Sequence, residues 1–126
     1  MMKDKVMLGI QVLAGVMLVV FGLNKFLHFI PMAQPTAEMG AYLGALAGTG
    51  FLFPLVAVIE IVGGLAFVTN KYASLMVLVV MPVMVNAFLA HLFLDPSGIG
   101  GSAFILFALI VIIVRHFDRY KAMLKA

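Results

Sequence analysis

Long apolar stretches dominate the chain, separated by short segments in which prolines, glycines and charges collect. They predict membrane-spanning helices over about 5–29, 51–69, 72–94 and 102–117, since about 20 apolar residues carry a helix across a bilayer core. Pro31 and Pro35 end the first helix and fix an extended turn. A shorter pattern then starts: Thr36 as N-cap, Glu38 in the first turn, and Met39, Tyr42, Leu43 and Leu46 at helical spacing. It predicts an amphipathic helix over about 36–47 lying on the membrane surface, ended by Gly48 and Gly50. Pro82 interrupts the third span and should kink it or open it locally. Asp95, Pro96, Ser97 and Gly98 read as a turn that continues through Gly100 and Gly101, so the last span begins at Ser102. The expected architecture is one all-α domain over 1–126, an integral membrane four-helix bundle with a short interfacial helix between the first and second spans.

Composition strengthens this reading. Of 126 residues, 65% are hydrophobic and only 10% charged, against about a quarter charged in a soluble domain; mean hydropathy is +1.23. Lys3 and Lys5 precede the first apolar run as in a signal peptide. That run is too long for a signal core, however, and no small-residue cleavage site interrupts it. The chain has no cysteine, which excludes disulfides, thiol redox motifs and Cys-ligated clusters. Any redox role would need a bound cofactor.

Charge sets the topology. Lys3, Lys5, Lys71, Arg115, Arg119, Lys121 and Lys125 fall on one side of the spans, with Lys25 alone near the other. Basic residues concentrate on the cytoplasmic side, so both termini are expected there. The net charge of +3 then reflects topology, and no nucleic-acid partner is implied.

The candidate chemistry lies inside the spans. Glu60 sits in the middle of an apolar run, on the helix face that carries Val56, Ala57, Gly63, Gly64 and Phe67. A carboxylate in hydrocarbon costs on the order of 3 kcal/mol on insertion scales, so it must face protein or water and find a partner. At a rise of ~1.5 Å per residue, Glu60 lies roughly 13 Å below the outer end of its span, Asn86 roughly 12 Å, and Asn24 and Lys25 roughly 6 to 9 Å. Asn24, Lys25 and His28 share one helix face, while His91 lies about 140° around its helix from Asn86. Glu60, Lys25, Asn24 and Asn86, with His28 or His91 at the rim, are therefore expected to line a polar pocket open toward the outer leaflet. Such a pocket suits a quinone headgroup, a lipid headgroup or another small amphiphile.

Plainer readings stay open beside it. Glu60 and Lys25 can be a structural pair that fixes helix register; Lys25 can snorkel; Asn86 can be interhelical glue. Two imidazoles can ligate a b-type haem, but nothing in the spacing of His28 and His91 marks them as a pair; the cofactor is left open, with a quinone compatible with the pocket and haem b not expected. Neither Glu-x-x-His nor His-x-x-x-His occurs, and no metal site is expected. His116 reads as solvated, and the ten methionines as packing. Asn24-Lys-Phe-Leu-His28 and Asn86-Ala-Phe-Leu-Ala-His91 also hint at a parallel internal repeat.

The blocks FGLNKFLHFIPM, PLVAVIEIVGGLAF and PVMVNAFLAHLFLDPSG, in this order, resemble the DoxX-like family of small four-helix membrane proteins. The family pattern maps onto Asn24, Lys25, Glu60, Asn86 and His91, and carries no catalytic role with it. The resemblance implies several jobs: subunits of thiosulfate:quinone or quinol oxidoreductase systems, components of membrane redox complexes, and, in distant eukaryotic relatives, assembly or cargo chaperones. The expectation is therefore an accessory subunit of a membrane oxidoreductase that binds a quinone- or lipid-like molecule, in a bacterial inner membrane. The alternative is an assembly factor for a client membrane protein. No nucleophile–base pair is evident, so autonomous turnover is not expected. A homo-oligomer is compatible with lipid-facing surfaces too uniformly Leu, Val, Ile and Phe to single out an interface.

Overall fold

The structure, a computed structural model, describes residues 2–31 and 34–126. Helices α1 (Met2–Leu27), α2 (Ala37–Gly48), α3 (Leu52–Thr69), α4 (Ala73–Leu94) and α5 (Ile99–Arg115) are followed by a short α6 (Phe117–Lys121), and the described residues contain no strand. Four helical segments are long and apolar enough to cross a membrane: Met2–Leu27, Leu52–Thr69, Ala73–Leu94 and Pro96–Arg115. The chain is an all-α integral membrane four-helix bundle, with α2 as the short interfacial helix.

The bundle is built on the pairing of α1 with α3. Glycines bring these antiparallel helices into backbone contact: a Cβ on Gly64 would lie 2.6 Å from the Gly15 carbonyl oxygen, and one on Gly22 would lie 2.9 Å from that of Ala57. Gly15 and Gly22 are seven residues apart, as are Ala57 and Gly64, so the small residues meet along one seam. Close approach through small residues supplies the van der Waals contact that drives helix association in lipid. Leu18, Phe67, Val77, Val80, Ile105, Leu109 and Ile112 fill the centre and are fully shielded. Leu55, Val58, Val62 and Leu65 form an exposed apolar stripe on α3, the face a spanning helix turns to acyl chains.

Helix ends follow the local chemistry. The Thr36 hydroxyl accepts from the Met39 N–H at 3.2 Å and starts α2. Asn70 and Tyr72, both with left-handed backbone (φ 56° and 59°), turn the chain tightly from α3 into α4. Helix α4 runs from Ala73 to Leu94 with Pro82 inside it. Two details differ from expectation. First, α1 stops at Leu27 and His28 takes φ 51°. Second, α5 starts at Ile99, with Gly100 and Gly101 inside it. The Asp95 carboxylate accepts from the Ser97 N–H and completes a turn at Pro96–Gly98 that feeds directly into the helix. Glycine's penalty of about 1 kcal/mol is outweighed where an unsatisfied peptide in lipid costs several. The expected extended turn between Pro31 and Pro35 includes positions 32 and 33, which lie outside the described residues.

Candidate functional site

The α1–α3 seam determines which side chains meet above it. One turn beyond Gly22, Lys25 leans toward α3, and its Nζ lies 2.6 Å from Glu60 Oε1. The Glu60 side chain is only 5% exposed and that of Lys25 24%. Oε1 is otherwise shielded and has no partner besides this ammonium. The ammonium also stands 5.9 Å from the centre of the Phe53 ring, within the range of a cation–π attraction.

Cavities flank the pair on two sides. The larger, about 470 Å³, is lined by Asn24, His28, His91, Asp95, Ser97 and Ser102 besides Lys25 and Glu60. The smaller, about 340 Å³, adds Leu46, Val56, Pro82 and Val83 to Tyr42 and Asn86. Lys25, Glu60, Leu43, Phe53, Met84 and His91 border both. The ion pair therefore stands at the junction of two lobes, the larger with more polar side chains in its wall.

The remaining expected residues are placed unequally. The Asn24 side-chain oxygen accepts from the Ile30 N–H at 2.8 Å, so this side chain ties down the end of α1 while lining the larger lobe. Asn86 is exposed on α4; its Nδ2 donates to the Tyr42 hydroxyl of α2, and it faces the smaller lobe. His91 Nδ1 lies 3.3 Å from the Asp95 carbonyl oxygen, with Gly98 against its ring. His28 is exposed at the rim. His91 and Asn86 do share one cavity despite their angular separation, because the smaller lobe extends along α4 from Pro82 to His91.

Sequence reasoning overlooked Tyr42 and gave Asp95 only a turn. In the structure Asp95 anchors α2 to α4: its Oδ2 accepts from the Thr36 N–H at 3.3 Å, and Thr36 Oγ1 donates to the Leu94 carbonyl oxygen at 2.6 Å. The hydrogen bond from the Ser97 hydroxyl, 2.5 Å from Oδ1, is the main reason that the Asp95 carboxyl sits below the ordinary aspartate range, and the Thr36 N–H adds to it. An Asp-Pro-Ser-Gly sequence after a helix was the available signal.

A second polar cluster closes the opposite end of the seam. Gln11, fully buried, donates to the Phe67 carbonyl oxygen at 3.0 Å and to Asn70 Oδ1 at 2.9 Å. Arg115 Nη1 approaches its oxygen at 3.5 Å. These groups satisfy one another and border neither cavity. Among the described residues, no three His, Asp or Glu side chains converge as metal ligands.

No protein-family model, curated protein or solved structure matches the chain significantly.

Proposed function

We propose that this chain is a DoxX-like membrane protein that binds a quinone- or lipid-like amphiphile beside Lys25 and Glu60, as an accessory subunit of a membrane redox system. Its location is a bacterial inner membrane, with both termini cytoplasmic as the one-sided Lys and Arg distribution indicates. One observation carries the reading: a buried ion pair opens onto cavity on two sides rather than being packed in. A purely structural pair gains from complete enclosure by further hydrogen bonds, whereas Glu60 Oε1 has no partner besides the Lys25 ammonium. Lys25 supplies a donor for a ligand oxygen, and Glu60 an acceptor or proton carrier.

The test is purification in mild detergent followed by mass spectrometry of the bound small molecules. Expected is a quinone or a lipid enriched over its share of the membrane extract, retained less by Glu60→Gln while helicity is unchanged. Bulk lipid composition in both proteins would overturn the reading; a haem absorption band would replace the quinone with another cofactor. One observation favours the alternative of an assembly factor. A Cβ added at Gly44 or Gly48 of α2 would meet nothing within 4 Å, which marks an unengaged small-residue edge of the kind that packs on a client helix. Stoichiometric copurification with another membrane protein, without enriched ligand, would support it.

A further inference from the structure

The two lobes differ in where they open. Pro82 and Asn86 are both exposed on α4, twelve and eight residues before its end at Leu94. At ~1.5 Å per residue they lie roughly 18 and 12 Å in from the outer end of the span. Half of a bilayer core is about 15 Å deep. A gap in this part of the wall therefore faces acyl chains, not water.

What covers the gap is α2, and α2 is lightly held. Of its twelve residues only Met39 is buried. Its polar ties to α4 are at Thr36, which bonds Leu94 and Asp95, and at Tyr42, which receives the Asn86 hydrogen bond. Leu94 and Asn86 are more than two helical turns apart, so α2 slopes from the outer end of α4 down into the leaflet. The tie at Thr36 stands at the helix N-terminus, where a pivot would be. Tyr42 and Asn86, joined by this bond, both line the smaller lobe.

The polar side shows what head the site accepts. Asn24 has its oxygen committed to Ile30 and keeps its N–H₂, and Lys25 brings an ammonium. The Asp95 oxygens in the same wall are taken by Thr36 and Ser97, so two nitrogen donors stand beside the Glu60 carboxylate, which favours a head rich in acceptor oxygens. At about 340 Å³ the smaller lobe is near the lower end of small-molecule pockets, room for one chain rather than two.

We propose that the smaller lobe is the tail site of a single-chain amphiphile with an oxygen-bearing head. Its mouth between α2 and α4 is the route from the outer leaflet to Lys25 and Glu60, and the Tyr42–Asn86 hydrogen bond is its closure. This rests on the ligand-binding reading above and specifies the ligand's shape and path.

The natural absence of cysteine allows a test that needs no ligand. Ala87 borders both lobes; the Ala87→Cys variant is reconstituted in liposomes and exposed to N-dodecylmaleimide, which resides in the bilayer, or to a membrane-impermeant sulfonated maleimide. Expected is faster reaction with the bilayer reagent, and a further rise on adding Tyr42→Phe of about fivefold, the factor one neutral hydrogen bond sets. Reaction with the aqueous reagent alone would overturn lateral entry; a rate indifferent to Tyr42→Phe would overturn the closure. Should Ala87→Cys fail to fold, Val83→Cys places the thiol in the smaller lobe. A protein that admits the bilayer reagent yet retains no ligand on purification fails the proposed function, not this route. Enriched ligand with a thiol closed to the bilayer does the reverse.

Discussion

Replacing Lys25 by Met keeps the length of the side chain and removes its charge, which strands Glu60 in a site where it is 5% exposed. Removing one partner of a buried ion pair typically costs about 3–5 kcal/mol, because the other charge is left uncompensated. Proton uptake offers an escape: neutralising a glutamate of ordinary pKa, about 4.3, at pH 7 costs about 3.7 kcal/mol and so caps the penalty. Glu60→Gln leaves the opposite orphan. Lys25 is 24% exposed and borders both cavities, so its ammonium can turn to water or headgroups, and the loss is nearer 1 kcal/mol. Lys25→Met should therefore be the more damaging single change, and the double variant should lie close to Glu60→Gln, a coupling of about 3–4 kcal/mol, the size of the Lys25→Met penalty itself. The assay is denaturant unfolding of the detergent-solubilised protein, followed by helical circular dichroism. It carries an internal check: the Lys25→Met penalty should shrink as pH is lowered from 7, because proton uptake removes the stranded charge. Equal losses in the two single variants, additivity in the double, or a penalty independent of pH would refute the argument.

Three further outcomes are expected. Gly64→Ala should destabilise by about 1–3 kcal/mol through overpacking, since its Cβ would meet backbone atoms of Gly15 and Val19, whereas Gly9→Ala, in open space, should be neutral or slightly stabilising in the same unfolding assay. Gln11→Ala should cost about 1–3 kcal/mol by depriving the Phe67 carbonyl and Asn70 of their donor, with ligand retention unchanged because the cluster borders neither cavity. The folded-state pKa of Asp95 is lowered, so its contribution is complete above the ordinary aspartate value of about 3.9 and is lost as pH falls through the lowered folded value. Amide-exchange protection of α2 should decline in that acid range, and Asp95→Asn should remove the pH dependence.

The spans and the meeting of Lys25 with Glu60 were readable because both depend on hydropathy and helical rise, which are local. Depth alone placed the two groups in the same half of the bilayer. What escaped depended on partners supplied by another element. Gln11 is a single uncharged residue in an apolar run, and only the turn after α3 reveals that Asn70 and the Phe67 carbonyl await it. Asn86 could be assigned a depth but not Tyr42, because a surface helix drawn flat cannot reach a residue two turns inside the span. Gly100 and Gly101 read as a loop by propensity, yet the Asp95 cap and the need to satisfy backbone groups in lipid make them helical.

Gly22 contributes no functional group, yet it sets the gauge of the site. A Cβ there would lie 2.7 Å from an Ile61 side-chain carbon as well as against Ala57, and the helices would separate just below the point where ammonium and carboxylate touch. The reach of Lys25 is thus calibrated by a hydrogen atom one turn away, and its loss would disarm the centre while every charged residue stayed in place.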